Sequence, residues 1–323
     1  MPARGLLIAL VLLALCAPPA AARIHPFPII GIGDQQPDMF GSKPWRQLAV
    51  HDARYIAPWD VMYDRYQLFL MDNWLRAAGR AHVRVVIGFM HSVRSEQLAR
   101  RLPTWRQYQR AFRRFRKVYP FLRNIIPWNE ANSPGALTER HPHRAAQYFD
   151  VVARNCRTCA VTAADVLDTK TMVGWIKKFR RSVHVRPRIW GLHNYSGANH
   201  LSTRGTRRLL ANTRGTIWFT ETGGVVTRRA YHGRHFGKRY RYGIHHAAAS
   251  TRFALRLSCL SWRVSRIYLY EWQPPFGPTG WDSGLLNPIG KPRPAFYAVR
   301  RWRRVSLRMS PRRARAELCR GFR

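Results

Sequence analysis

The sequence predicts a single-domain α/β fold, the (β/α)8 TIM barrel. Apolar strand-like runs alternate with amphipathic helix-like segments along most of the 323 residues, a pattern typical of parallel strands joined by crossover helices. The length is sufficient, because such a barrel needs about 250 residues. The main alternative, a doubly wound sheet, is disfavoured because residues 31–34 read Gly-Ile-Gly-Asp and lack the phosphate-binding turn G-x-G-x-x-G.

Eight apolar runs predict the strands of this barrel. They are residues 29–33, 54–57, 83–89, 124–128, 160–163, 188–192, 216–219 and 266–270. Helical periodicity predicts helices at residues 63–78, 105–119, 143–153, 169–179, 203–210, 244–257 and 295–302, and the segment between the first two strands has the weakest helical pattern. In the first of these helices, the spacing of Tyr66, Phe69, Leu70 and Trp74 predicts an apolar face packed on the barrel.

The N-terminus has the features of a secretory signal peptide. Arg4 precedes an apolar run over residues 6–15, and alanines at 20–22 form an A-x-A-like cleavage site. The run is about half the ~20 residues that a membrane span requires, so we expect a secreted, extracellular protein without stable membrane insertion. The predicted organisation is a signal peptide at residues 1–22, the barrel at 23–305 and a basic C-terminal tail at 306–323.

Four cysteines remain after removal of the signal peptide: Cys156, Cys159, Cys259 and Cys319. An even number in an oxidising compartment predicts disulfide bonds, although four cysteines allow three connectivities. Pairing Cys156 with Cys159 and Cys259 with Cys319 is our working hypothesis. The alternative for Cys156-x-x-Cys159 is a redox motif, but it precedes a strand instead of beginning a helix.

The formal net charge of +40 is extreme and comes mainly from arginine, because only seven lysines are present. The basic residues are spread along the whole chain, whereas a nucleic-acid-binding module would show a confined patch. We therefore expect no nucleic-acid partner. The two readings left open are an arginine-rich solvated surface and attraction to an anionic glycan or cell-wall polymer.

Two glutamates stand at the ends of apolar runs. Residues 126–132 read Ile-Pro-Trp-Asn-Glu-Ala-Asn, and residues 218–224 read Trp-Phe-Thr-Glu-Thr-Gly-Gly. A buried charge is costly unless it is paired or used, so core packing explains Glu130 and Glu221 poorly. Because the C-terminal ends of barrel strands form one face, both carboxylates should meet in one cleft. Paired carboxylates of this kind are the catalytic equipment of glycoside hydrolases.

These residues resemble a known group, the retaining glycoside hydrolases of the (β/α)8 clan A, including cellulase-like, β-xylosidase-like and β-glucanase-like secreted bacterial members. The clan carries an Asn-Glu pair after strand four and a glutamate after strand seven, here Asn129-Glu130 and Glu221. Other positions that fit its pattern are Arg54 on strand two, His193 and Tyr195 after strand six, and Trp272 after strand eight. The resemblance covers roughly residues 28–305.

The resemblance implies a secreted retaining O-glycoside hydrolase, either a β-glycosidase or an endo-glycanase. It implies Glu130 as the general acid/base and Glu221 as the nucleophile, acting by double displacement. One alternative is a non-catalytic glycan- or cell-wall-binding barrel. A more distant alternative is a polyanion binder driven by the positive charge, which leaves the two glutamates without a purpose.

Further residues are candidates for substrate binding. Arg54 beside Glu221 would favour its ionised form, Asn129 could bond a sugar hydroxyl, and His193 and Tyr195 could orient Glu221 or contact sugar. Candidate stacking platforms are Trp59, Trp128, Trp272 and Trp281, and candidate contacts at strand ends are His91 and Asp34. Glu271, after strand eight, could support the site or form a buried ion pair.

The expected partner is an oligo- or polysaccharide, with an anionic glycan as one option. The arginine-rich segment 228–242 follows strand seven and would overhang the catalytic face, where it could line subsites for such a glycan. No zinc-ligand spacing and no G-x-S-x-G elbow occur, so we predict neither a metal nor a cofactor. We predict a monomer.

Overall fold

The computed structural model describes residues 27–228, 242–277 and 280–322, and in it eight parallel strands close into a barrel. The barrel strands are β1 (Ile29–Gly33), β2 (Asp52–Pro58), β3 (Arg84–Met90), β4 (Asn124–Ile126), β5 (Ala160–Leu167), β6 (Ile189–His193), β7 (Thr216–Thr222) and β9 (Val264–Tyr270). The barrel closes where β9 pairs with both β7 and β1. The predicted fold class is confirmed.

A small antiparallel sheet lies beside the barrel. It pairs β8 (Thr227–Arg228) with β10 (Trp281–Asp282), so that Arg228 lies opposite Trp281. The α-helices of the described residues are α1 (Lys43–Leu48), α2 (Arg65–Arg80), α3 (Glu96–Ala99), α4 (Trp105–Val118), α5 (Pro142–Asn155), α6 (Met172–Ser182), α7 (Tyr195–Asn199), α8 (Arg204–Asn212), α9 (Ile244–Arg256), α10 (Pro294–Arg308) and α11 (Pro311–Leu318).

Helix α4 shows how the sequence fixes an element. Thr104 and Gln107 form a capping box at its start, which satisfies backbone N–H groups that otherwise lack partners. The helix then buries Tyr108, Phe112 and Phe115 on one face, while its arginines lie on the other. Its predicted range differs from the observed one by a single residue at the C-terminal end.

Helix α2 corrects the predicted apolar face. Tyr66 and Phe69 are 66% and 57% exposed, whereas the buried stripe consists of Met71, Trp74 and Ala78. The helix buries one stripe at spacings of three and four residues, and Tyr66 and Phe69 lie on the opposite side of that helix.

Strand ends differ from the prediction for identifiable reasons. Strand β4 stops at Ile126, because Pro127 has no N–H to continue the ladder. Strand β5 continues to Leu167 instead of ending at residue 163. It therefore contains Asp165, a charged residue that the sequence pattern placed beyond the strand.

The core has two parts. A large apolar cluster packs the helices against the barrel, and a separate cluster joins Val86, Ile126, Trp218 and Tyr268 from four different strands. The second cluster corresponds to the packed interior of a TIM barrel, which is filled by side chains. Gly31 leaves room for it, because a Cβ there would lie 2.6 Å from the Tyr268 ring.

Both disulfide bonds follow the working hypothesis: Cys156 pairs with Cys159, and Cys259 pairs with Cys319. The second bond attaches the C-terminal segment to the barrel, and α11 buries Ala314. The boundary predicted at residue 305 falls inside α10. The predicted signal peptide lies outside the described residues. No helix in the described part of the chain is both long and apolar enough to cross a bilayer.

Candidate active site

A cavity of about 830 Å³ opens at the C-terminal ends of the barrel strands. Its walls include Asp34, Arg54, Asn129, Glu130, Asp168, Tyr195, Glu221, Arg228, Tyr270 and Trp281. Seven of these were candidates from sequence: Asp34, Arg54, Asn129, Glu130, Tyr195, Glu221 and Trp281. The barrel thus brings together residues from segments that are far apart in the chain.

Glu130 and Glu221 face each other in this cavity. One oxygen of each carboxylate and one ring nitrogen of His193 all lie within 4.8 Å of one another. The Glu130 side chain is 30% exposed, and the Glu221 side chain is 14% exposed. Glu130 also has a backbone φ of +47°, a left-handed conformation that is uncommon outside glycine and is found disproportionately at functional sites.

Arg54 lies beneath Glu221 and is completely buried. Its Nη1 donates to Oε2 of Glu221 at 2.6 Å, and its Nη2 donates to Oδ1 of Asn129 at 2.5 Å and to Oδ2 of Asp165 at 3.2 Å. Burial works against the charged guanidinium, but the carboxylates of Glu221 and Asp165 outweigh it and raise the pKa of Arg54 above its usual range. Because Arg54 occupies Oδ1 of Asn129, the amide Nδ2 is the group that Asn129 can offer to a ligand.

Tyr195 holds the other oxygen of Glu221. Its hydroxyl donates to Oε1 at 3.0 Å, and its ring packs edge-on against Trp281, with ring centroids 4.9 Å apart. Burial, followed by the negative charge of Glu221, keeps the pKa of Tyr195 well above its usual value. The tyrosine therefore remains a neutral hydrogen-bond donor to the carboxylate.

His193 joins both glutamates to a buried aspartate. Its Nδ1 donates to Oε1 of Glu130 at 3.0 Å and lies 3.8 Å from Oε2 of Glu221, while Nε2 donates to Oδ2 of Asp165 at 2.9 Å. Burial alone would lower its pKa, but the charges of Asp165 and Glu221 raise the pKa of His193 to about 10. His193 is therefore an imidazolium at neutral pH, and both of its nitrogens donate.

Two acidic residues of the site were missed from sequence. Asp165 lies in β5 facing His193, and Asp168 lines the cavity and accepts the backbone N–H groups of Ser196 and Gly197 at 3.1 and 2.5 Å. Asp168 thereby fixes the start of α7, which carries Tyr195. Burial raises the pKa of Asp168 to about 6 against these hydrogen bonds. The signal that could have found Asp165 is a lone carboxylate inside an apolar strand.

Of the four candidate stacking tryptophans, only Trp281 is among the cavity-lining residues within the described part of the chain. Trp128 and Trp272 are buried in the core, where Trp128 packs on Tyr148 and Trp272 on Trp45. Trp59 stacks on Tyr108. Trp128 and Trp272 are corrected from sugar platforms to packing residues, because their buried rings pack on residues of the surrounding helices. Trp59 is half-buried and does not line the cavity, and its role as a platform stays a prediction.

The remaining candidates divide by location. Asp34 lines the cavity, but its oxygens accept the backbone N–H groups of Gln36, Trp272 and Gln273, so it ties the loop after β9 to β1. Burial raises the pKa of Asp34 to about 6. His91 is half-buried, does not line the cavity, and has a pKa lowered by burial.

Glu271 is buried beside the site. It accepts the backbone N–H of Ser283 at 3.2 Å. Burial raises the pKa of Glu271 to about 8.

Of the arginine-rich segment after β7, only Arg228 and Tyr242 belong to the described residues, and residues 229–241 lie outside them. Arg228 lines the cavity, and its guanidinium carbon lies 5.4 Å from the centre of the Trp281 ring. The pairing of β8 with β10 therefore places a cation and an aromatic ring together at the cavity wall.

Glu130, His193 and Glu221 could each offer one ligand atom to a metal ion. Two cations already balance these carboxylates, because Arg54 bonds Glu221 and His193 is protonated. A metal ion would have to displace the proton of His193 against the charge of Asp165. The arrangement therefore suits a pair of reacting carboxylates better than a metal centre.

Several solved structures with a similar fold are glycoside hydrolases. A family 39 glycoside hydrolase from the gut symbiont Bacteroides cellulosilyticus WH2 has a TM-score of 0.61 at 14% identity, over 86% of this chain and 64% of that chain. The family 39 enzyme from Xanthomonas axonopodis pv. citri gives 0.58 at 14%, over 85% and 66%. A Streptomyces cattleya enzyme of family 5, solved with GlcNAc, gives 0.60 at 13%, over 88% and 82%.

The chain shares its barrel fold with these glycoside hydrolases. At 13–14% identity the likeness concerns the fold, and the chain spans less than two thirds of the length of the two family 39 enzymes. No protein-family profile matches the sequence, and no curated protein sequence matches it either. The proposed chemistry therefore rests on the residues of the site.

Proposed function

We propose that the protein is a retaining glycosidase that hydrolyses O-glycosidic bonds with Glu130 as general acid/base and Glu221 as nucleophile. The observation that carries the proposal is the separation of these carboxylates, whose nearest oxygens lie within 4.8 Å. Retaining enzymes hold their carboxyl groups about 5–5.5 Å apart, whereas inverting enzymes leave about 6.5–9.5 Å for a water molecule. The short separation supports direct attack by one carboxylate.

The partners of each carboxylate support the assignment of roles. Glu221 bonds Arg54 through one oxygen and Tyr195 through the other, so its carboxyl group is oriented and paired with a cation, which suits a nucleophile. Glu130 is the more exposed of the two, so it can reach the leaving group and the incoming water. In the first step, the Glu130 proton passes to the leaving oxygen while Glu221 attacks the anomeric carbon. In the second, Glu130 removes a proton from water, which displaces Glu221.

The test uses aryl β-glycosides and β-linked polysaccharides with the wild type, Glu130→Gln and Glu221→Gln. Either substitution should lower kcat/KM by at least about 1,000-fold, because each glutamate takes part in both steps of the double displacement. Azide should rescue a Glu221→Ala variant with formation of an α-glycosyl azide, which assigns the nucleophile. Full activity in both glutamine variants would refute the proposal, and binding without turnover by the wild type would favour a glycan-binding barrel.

For the substrate we propose an oligo- or polysaccharide with anionic units. Arg228 and Trp281 support this, because both line the cavity and together offer a cation and an aromatic face to a sugar. The net charge of +40 would also raise the local concentration of an anionic polymer. Arg228→Met should lower kcat/KM for an aryl β-glucuronide about 10-fold more than for the matching β-glucoside.

The matched control for this effect is Arg252→Met, an exposed arginine on α9, which should leave the ratio of the two substrates unchanged. Activity on neutral and acidic substrates is also measured across a salt series, because salt screens the attraction between opposite charges. Equal activity on neutral and acidic substrates at all salt concentrations would contradict the anionic proposal. It would leave the glycosidase proposal intact.

We also propose that the protein is secreted and monomeric. Two disulfide bonds support an oxidising compartment. The N-terminal signal pattern supports export from the cell. N-terminal sequencing of protein from the culture medium should begin at residue 23. Light scattering after size-exclusion chromatography should give the mass of one chain.

A further inference from the structure

Asp165 is a buried charge that substrate cannot touch. It lies in β5 with no exposure to solvent. Its Oδ2 accepts hydrogen bonds from His193 and Arg54, and its Oδ1 accepts one from the hydroxyl of Thr220. Burying a carboxylate costs desolvation free energy even when both of its oxygens accept hydrogen bonds. The burial of Asp165 therefore calls for a functional explanation.

Local structure makes room for Asp165 and directs it inward. The register of β5 against β6 shifts between Thr162 and Asp165, and such irregularities re-aim side chains. On the neighbouring strand stands Gly191, where a Cβ would overlap Oδ1 of Asp165 and lie 2.9 Å from the Thr220 hydroxyl. The chain thus provides a slot for this carboxylate in the interior of the barrel.

Asp165 allows two cations to lie side by side. Nη2 of Arg54 is 3.3 Å from Nε2 of His193, and Oδ2 of Asp165 contacts both. At that separation two positive charges repel strongly unless an anion is shared between them. Burial opposes ionisation of Asp165, but His193 and Arg54 outweigh it and lower the pKa of Asp165. Asp165 is therefore an anion in the folded protein at neutral pH.

The other face of the imidazole meets Glu130. His193 is surrounded by Arg54 from β2, Glu130 after β4, Asp165 from β5 and Glu221 from β7. With Nε2–H directed to Asp165, the second proton on Nδ1 points at Oε1 of Glu130, 3.0 Å away. A charge-assisted hydrogen bond at that distance couples the charge of His193 directly to the acid/base of the proposed reaction.

We propose that Asp165 is a positioning residue that keeps His193 charged beneath Glu130 and thereby sets the pH range over which the proposed acid/base works. The inference rests on the proposed glycosidase function. Its consequence is that Asp165 fixes the alkaline limit of activity. Without the aspartate, His193 becomes neutral and the nearest cation to Glu130 disappears.

The experiment is a pH profile of kcat/KM for the wild type and Asp165→Asn. The alkaline limb of the asparagine variant should move to higher pH by about 1 unit. The control is Asp150→Asn, because Asp150 is also a buried aspartate and accepts the backbone N–H groups of His184 and Val185, outside the site. That control should lose stability but keep the wild-type pH limits.

A second readout does not depend on activity. The ¹⁵N chemical shifts of the His193 ring should report an imidazolium at pH 8 in the wild type and a neutral ring in Asp165→Asn. A neutral His193 in the wild type, or an unchanged charge and alkaline limb in Asp165→Asn, would overturn the proposal. If the wild type hydrolyses no glycoside, the glycosidase function fails, and the ring shifts still decide whether Asp165 sets the charge of His193.

Discussion

Nη1 of Arg54 donates a hydrogen bond of 2.6 Å to Oε2 of Glu221. Arg54 lies on β2 and Glu221 on β7, which are not neighbours in the barrel. The bond therefore spans the interior and couples one side of the site to the other. The same buried guanidinium contributes both to the orientation of Glu221 and to the neutralisation of Asp165.

Replacing Arg54 should damage activity and stability together. Arg54→Met removes a cation that contacts both Asp165 and Glu221, and removing one partner from a buried ion pair costs about 3–5 kcal/mol. kcat/KM should fall at least about 100-fold, because Glu221 loses its fixed electrostatic partner. Urea unfolding and steady-state kinetics measure both effects.

The control for that substitution is Arg100→Met. Arg100 pairs with Glu96 on the surface, with both side chains largely exposed, so its loss should change the free energy of unfolding by less than about 0.5 kcal/mol. An Arg54→Met variant as stable as this control would contradict the role assigned to Arg54.

Tyr195→Phe isolates the hydrogen bond to Oε1 of Glu221. The ring should still pack on Trp281, so kcat should fall about 10-fold or more while KM changes less, since a hydrogen bond to a charged group contributes about 1.5–3 kcal/mol. Tyr148→Phe is the matched control, because its buried hydroxyl donates to the carbonyl of Pro103 at 2.6 Å. An equal loss of kcat in both variants would show that Tyr195 acts only through packing.

The two disulfide bonds should differ in their contribution to stability. Cys259 and Cys319 are separated by 60 residues and Cys156 and Cys159 by 3, so the loop-entropy model assigns about 4 and about 2 kcal/mol to them. Paired Cys→Ser variants compared by urea unfolding test this order. A larger loss from the short loop would indicate that native packing, and not chain entropy, governs both bonds.

Glu271 should make stability depend on pH. Burial raises the pKa of its carboxyl from 4.5 to about 8, so above pH 4.5 the unfolded chain releases a proton that the folded protein keeps. The free energy of unfolding therefore falls as pH rises through this window. Glu271→Gln should be more stable than the wild type at pH 8.5 by on the order of a few kcal/mol, and nearly equal to it at pH 4.5.

Melting temperatures across pH 4.5–8.5 measure this difference. Glu96→Gln is the control, because Glu96 lies on the surface of α3 and its substitution should leave the pH dependence unchanged. Parallel curves for the wild type and Glu271→Gln would show that Glu271 ionises normally in the folded protein.

The barrel strands show which structural features the sequence pattern can predict. The eight apolar runs predicted every barrel strand, because parallel strands buried on both faces must be apolar. The prediction ended the fifth strand before Asp165, because a charged residue normally marks the end of an apolar run. Only the folded barrel supplies the partners, His193, Arg54 and Thr220, that make a charge inside β5 tolerable.

The sequence pattern also could not tell which tryptophans line the cavity. The positions of Trp59, Trp128, Trp272 and Trp281 at strand ends all suggested contact with sugar, yet only Trp281 lines the cavity among the described residues. A large aromatic ring serves equally well in a core or at a binding face. The choice depends on whether the local backbone directs the ring outward to the helices or inward to the cavity.

The sequence by itself determined the barrel, the strands that carry Glu130 and Glu221, and the end of the barrel at which they lie, because local periodicity and chain order encode all three. The tertiary structure alone decided that the two carboxylates approach within 4.8 Å and share His193. It also decided that Asp165 lies beneath them. Those relationships join residues from different strands, and their distances depend on barrel closure and strand register, which no single segment of the sequence specifies.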